Sequence, residues 1–170
     1  KKKTKQEKII PLIFLTALII SFLSFRFWYY PNWSYYKNFY QYALKIKNKN
    51  NYYRYFNSQT QDIYQAANFI KNRTTSQEKI FIWGTQPSIY ALANRLPVGR
   101  YTVSYHIIDF NAYKETMKAL EKNPPRWLIV TQDEKNPFSE LDNFIKNKYI
   151  IFQVFGQLQI FYQLPKNTQV

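Results

Sequence analysis

The chain has no cysteine, three glycines and a single histidine, and each shortage closes off a class of function. Without thiols there is no disulfide scaffold, no cysteine-based zinc site and no thiol nucleophile. One imidazole, His106, excludes a multi-histidine metal site and a pair of catalytic imidazoles. Gly84, Gly99 and Gly156 lie too far apart for a glycine-rich phosphate cradle, so dinucleotide and P-loop fingerprints are absent. Acid is scarce too: 10 Asp plus Glu stand against 24 Lys plus Arg, for a net charge of +14.

What is present is aromatic, basic and rich in Asn, Ile and Tyr, with aromatic residues at 20%. These are residues that A/T-rich codons favour, so the charge is informative only through where it sits. Residues 1–8 hold five Lys and one Glu. The rest of the charge is spread thinly, which disfavours a nucleic-acid partner.

Residues 9–25 carry no charge and are mostly Ile, Leu and Phe. With the aromatic flank they approach the ~30 Å of a bilayer core, and the sequence predicts a transmembrane helix over 9–30. Arg26, Trp28, Tyr29, Tyr30 and Trp33 then form an expected interfacial belt. Small residues are not arranged as a signal-peptide cleavage site. By the positive-inside rule the basic segment 1–8 is expected to be cytoplasmic and the remainder extracytoplasmic, in the plasma membrane, with the lipid bilayer as a partner. The chain begins with Lys, and is expected to be the tail of a longer protein.

Residues 31–57 read as a juxtamembrane helix through Tyr36, Phe39, Tyr40 and Leu44, a loop at Asn48–Asn51 and a basic aromatic connector. An α/β domain is expected over 58–164, with a short tail at 165–170. Within it Ser58 and Gln61 suggest a capping box for a helix ending at Arg73. Ile80–Trp83 and Trp127–Val130 read as strands buried on both faces. Pro87–Ala93 suits a short helix, Tyr101–Tyr105 alternates like a strand, and Phe110 to Leu120 mark a helix stopped by Pro124 and Pro125. Asn136 and Pro137 suggest the start of another helix. Tyr149–Phe155 and Leu158–Gln163, joined by Gly156 and Gln157, predict a type II′ hairpin. The fold class is therefore a small three-layer α/β domain with a mainly parallel sheet and a C-terminal antiparallel hairpin, behind one N-terminal transmembrane helix.

Asp133 and Glu134 follow a strand, where open α/β sheets place ligands. Neighbouring loop carboxylates point apart, so a solvated turn is the expected role. His106 is expected to be structural or surface-exposed, and no Ser or Thr lies in a nucleophile elbow. No catalytic residue and no metal ligand set is expected in this segment.

The stretch Trp83-Gly84-Thr85-Gln86-Pro87-Ser88-Ile89-Tyr90, continuing to Arg95, Pro97, Arg100 and Tyr101, resembles the extracytoplasmic C-terminal domain of bacterial and archaeal GT-C glycosyltransferases. These are multi-pass enzymes related to protein mannosyltransferases and aminoarabinose transferases. Pro124 to Val130 and the closing helix and hairpin resemble the same family, and the likeness covers residues 58–163 and the preceding helix. It implies a parent enzyme that transfers a sugar from a polyprenyl-phosphate carrier to an acceptor on the outer face of the membrane. The upstream membrane domain of the same protein would then be a partner. The family's essential acids lie in an outer loop that these residues do not include. Arg95 and Arg100 are the expected contacts with phosphate or with the membrane domain, since a guanidinium forks onto phosphate oxygens. Trp83, Gly84, Pro87, Tyr90 and Tyr101 complete the expected substrate or interface set. No cofactor is expected in the segment, and whether the parent needs a divalent metal stays open. The competing expectation is a single-pass, membrane-anchored binding or scaffold domain that contacts anionic lipid or glycan.

Overall fold

The computed structural model describes residues 5–26, 29 and 32–165. It divides into two compact units, Lys1–Tyr52 and Tyr53–Val170.

In the first unit, α1 (Lys5–Ser24) contains Pro11 and exposes its apolar side chains on every side. Among the described residues no helix is long and apolar enough to cross a membrane, which corrects the transmembrane helix expected over 9–30. The physical reason is length. The helix begins with Lys5, Gln6, Glu7 and Lys8 and ends at Ser24, where the chain turns through Phe25 and Arg26. Its charge-free part, residues 9–24, measures about 24 Å at 1.5 Å per residue, short of the ~30 Å core. Of the expected belt, Trp28 and Tyr30 lie outside the described residues. Arg26 adopts φ 47, and Tyr29 and Trp33 are exposed.

Next come α2 (Asn32–Ala43) and α3 (Lys49–Arg54), a helix where a loop was expected at Asn48–Asn51. The Asn48 side chain explains the difference, since its Oδ1 accepts the Asn51 N–H at 2.8 Å as an N-cap does.

The second unit runs α4 (Thr60–Arg73), β1 (Phe81–Trp83), α5 (Ser88–Ala93), α6 (Ser104–Asp109), α7 (Tyr113–Lys122), β2 (Trp127–Thr131), α8 (Ser139–Lys148), β3 (Tyr149–Phe155) and β4 (Leu158–Gln163). The strand order is β1-β2-β4-β3. Only β1 and β2 pair in parallel, Ile82 opposite Ile129. The β2·β4 and β3·β4 pairings are antiparallel, which corrects the expected mainly parallel sheet. Two causes combine. Tyr101–Tyr105 is not a strand, because Ser104 already starts α6, and the hairpin enters the sheet through its second strand.

Alternation along the strands feeds two cores. Phe81, Trp83 and Leu128 pack with Ile107, Leu120, Phe138 and Leu141 from α6, α7, α8 and the residue before α8. Ile82, Ile129, Leu158 and Ile160 pack on the other face with Ala66, Ala67 and Ile70 of α4 and Ile89 and Ala93 of α5. Helices thus cover both faces of the sheet, giving three layers.

Two helix starts differ from expectation. Gln59 precedes α4 without a side-chain cap, and Asn57 Oδ1 instead accepts the Gln59 N–H at 2.7 Å. α8 starts at Ser139 after Phe138, because the Asn136 side chain is engaged by Glu134 at 2.7 Å.

Candidate functional site

One group of polar residues of the second unit lies just after the parallel strands, where open α/β sheets form crevices. β1 runs into Gly84, whose φ of 148 is open to glycine and which lies so close to Thr131 that a Cβ would collide with the Thr131 hydroxyl. Gly84 O accepts the Ser104 N–H at 2.9 Å, tying α6 to this turn. The Ser104 hydroxyl donates to Glu134 Oε2, and Asn136 donates to Glu134 Oε1 through its backbone N–H at 3.1 Å and Nδ2 at 2.7 Å. Partial burial alone would raise the Glu134 carboxyl, but these hydrogen bonds outweigh it and hold the group below its ordinary value. Asp133 faces a different partner, Gln59 Nε2 at 3.1 Å, and Gln86 Nε2 reaches Gln59 Oε1 at 3.0 Å. The two carboxylates therefore do not converge. Among the described residues no group of three or more His, Asp or Glu could hold a metal ion.

The family-like stretch is mostly interlocked. Trp83 is 4% exposed and packs on Phe138 at 5.1 Å between centroids. Pro87 precedes α5 with φ −65, and its carbonyl accepts the Tyr90 N–H. The buried Tyr90 hydroxyl accepts the Ile82 N–H at 2.9 Å, so burial pushes that phenol well above its ordinary range while the backbone bond draws it back.

Arg95 is 8% exposed and all of its N–H donors point at this domain's own oxygens. Nε donates to Thr74 Oγ1 at 2.7 Å, Nη1 to Ala93 O and Asn94 O at 3.0 and 2.8 Å, and Nη2 to Lys71 O and Thr74 O at 3.2 and 2.7 Å. One guanidinium thereby closes the C-terminal ends of α4 and α5, whose last carbonyls lack helical partners.

Arg100 differs. It is exposed, with its guanidinium carbon 5.7 Å from the Tyr101 ring centroid, and Tyr101 stacks at 6.0 Å on the exposed Phe110. His106 lies on α6 against Tyr105 at 4.5 Å. A groove between α7 and α8, about 400 Å³, is lined by Tyr113, Lys114, Met117, Glu121 and Phe144 among others.

Ser104 and Thr131 escaped the sequence reading. A six-residue helix is too short to show helical periodicity, and Tyr101–Tyr105 imitates strand alternation. Thr131 extends the second buried strand by one residue, and its hydroxyl is buried without a hydrogen-bond partner.

No protein-family model and no curated protein matches the chain. Among solved structures, the C-terminal globular domain of oligosaccharyltransferase from Archaeoglobus fulgidus is similar at 16% identity and a TM-score of 0.39, over 61% of this chain and 97% of that one. So distant a likeness says nothing of function.

Proposed function

We propose that residues 58–164 form a non-catalytic domain of a GT-C type glycosyltransferase, which moves a sugar from a polyprenyl-phosphate donor to an acceptor on the outer face of the membrane. The observation that carries the reading is the run from Trp83-Gly84 through Pro87, Ile89-Tyr90 and Arg95 to Arg100-Tyr101. Its geometry supports a scaffolding role. Gly84, Tyr90 and Arg95 direct their polar groups into the domain, so this part of the motif specifies architecture. Arg100 and Tyr101 follow at its end on a surface turn, where a guanidinium is free to meet a phosphate or a neighbouring domain of a longer parent enzyme.

Two measurements test this. In the full-length parent, Arg100→Ala should lower transfer about tenfold at normal protein levels, the loss of one charge-assisted hydrogen bond; undiminished transfer removes Arg100 from the site. This chain by itself, incubated with a polyprenyl-phosphate hexose and acceptor, should give no product. Turnover by this chain alone would end the non-catalytic assignment.

A further inference from the structure

In the first unit the loop between α2 and α3 reads Leu44-Lys45-Ile46-Lys47-Asn48, with Lys49 opening α3. It is firmly anchored. Asn38, 2% exposed, donates through Nδ2 to Tyr52 O at 3.3 Å and accepts Lys47 Nζ on Oδ1 at 2.9 Å. The Lys47 N–H returns to Gln41 O at 2.9 Å, and the Tyr42 and Tyr52 rings stack at 4.5 Å. Yet this fixed loop holds Leu44 69% and Ile46 71% exposed, interleaved with lysines, and Ile46, Lys45 and Lys49 line a hollow of about 640 Å³.

The geometry points to a docking surface for an anionic lipid bilayer, with Leu44 and Ile46 entering the headgroup boundary and Lys45 and Lys49 on lipid phosphates. Two observations and one physical argument select that occupant. Residues 32–52 carry four lysines and no acid, which complements an anionic surface and lacks the negative charges that would push it away. A soluble polyanion would engage the lysines and leave the two aliphatic tips in water, whereas a bilayer satisfies both. α2 adds exposed Trp33, Tyr36 and Tyr40, the ring types that settle at headgroup level. This contact lies on the surface and needs no spanning helix, and it stands whether or not the glycosyltransferase reading does.

The chain lacks cysteine, so Ile46→Cys gives a unique thiol for an environment-sensitive nitrobenzoxadiazole label in the full chain. With vesicles of phosphatidylglycerol and phosphatidylcholine the emission should move to the blue and the label should become shielded from iodide. Pure phosphatidylcholine vesicles should leave it as in water. Added Lys45→Gln and Lys49→Gln should raise the lipid concentration at half-effect about 30-fold, and about 0.5 M NaCl should reverse the shift in the parent protein. A label that stays quenchable with anionic vesicles overturns the proposal. So does an equal shift on neutral vesicles, a shift indifferent to salt, or one produced by polyuridylic acid without lipid.

Discussion

The two units treat their aromatic rings in opposite ways. In the second, Phe81, Trp83, Trp127 and Phe138 are 0 to 4% exposed, whereas in the first Phe14, Tyr29 and Trp33 are more than 70% exposed. Composition does not separate them, since both are rich in Phe, Tyr and Trp. The difference lies in layers. A sheet offers two faces to which helices bring complementary stripes, and the core rings are buried between the layers. In the first unit the described elements are helices alone, and the one buried residue among them is the amide Asn38. Polar anchoring, not apolar burial, shapes that unit.

The largest way to break this contrast is Arg95→Met. Removing a buried guanidinium leaves carbonyls of α4 and α5 unpaired, so the second unit should lose about 4 kcal/mol in urea denaturation followed by near-ultraviolet circular dichroism. Arg95→Lys should recover little, because an ammonium has no fork to reach both helix ends. Amide exchange in the first unit should not change. If Arg95→Met costs no more than a surface substitution, the guanidinium is not what closes the two helices.

A smaller effect isolates the first unit. Asn38→Ala removes the amide that holds Lys47 and the Tyr52 carbonyl, and should cost about 1.5 kcal/mol locally. The Leu44 and Lys47 amides, bonded to Tyr40 O and Gln41 O, should then exchange about tenfold faster. Unfolding of the second unit should stay as it was. Unchanged exchange at Lys47 would mean that ring stacking of Tyr42 on Tyr52 suffices to hold the loop.

How much of this was legible in the sequence follows the same division. The hairpin strands Tyr149–Phe155 and Leu158–Gln163 match their predicted bounds, because Gly156 with φ 53 and the flanking apolar runs agree locally and globally. The first two strands were legible as the continuous apolar runs Ile80–Trp83 and Trp127–Val130, each within one residue of its observed bounds. The sheet order was not, since nothing local says which strand of a hairpin turns inward. α6 was hidden by alternation that its six residues could not contradict. At the strand ends, Glu134 was visible as a carboxylate on a loop, but its partner Ser104 lies 30 residues away, a separation that only the fold closes. Arg95 was singled out in the sequence as a contact for phosphate or a membrane domain, not as the closure of two helices. That its donors turn inward depends on α4 and α5 ending side by side, which no motif encodes.

The faintest signal is electrostatic and comes from three titratable groups that the second unit engages internally, Tyr90, Tyr149 and Glu134. At the alkaline end, burial raises the Tyr90 and Tyr149 phenols above the ordinary value of 10.0, and Tyr149 donates to Pro125 O at 2.7 Å. The unfolded chain therefore releases these protons first, so their contribution is whole below pH 10 and is lost as pH rises beyond it. Tyr149→Phe should flatten that limb in a urea series above pH 10, and an unaltered slope would mean the phenol ionises without leaving its site. At the acid end the sign reverses. Glu134 sits below the ordinary 4.5, so the folded state binds its proton less readily than the unfolded chain. Its contribution is present above pH 4.5 and vanishes as pH falls through the lowered value. Because the group is only partly buried, screening keeps this to about 0.5 kcal/mol. Glu134→Gln should therefore be slightly less stable than the parent at pH 7 and equal to it near pH 3. A deficit that persists at pH 3 would assign the effect to the geometry of the Ser104 and Asn136 bonds rather than to charge.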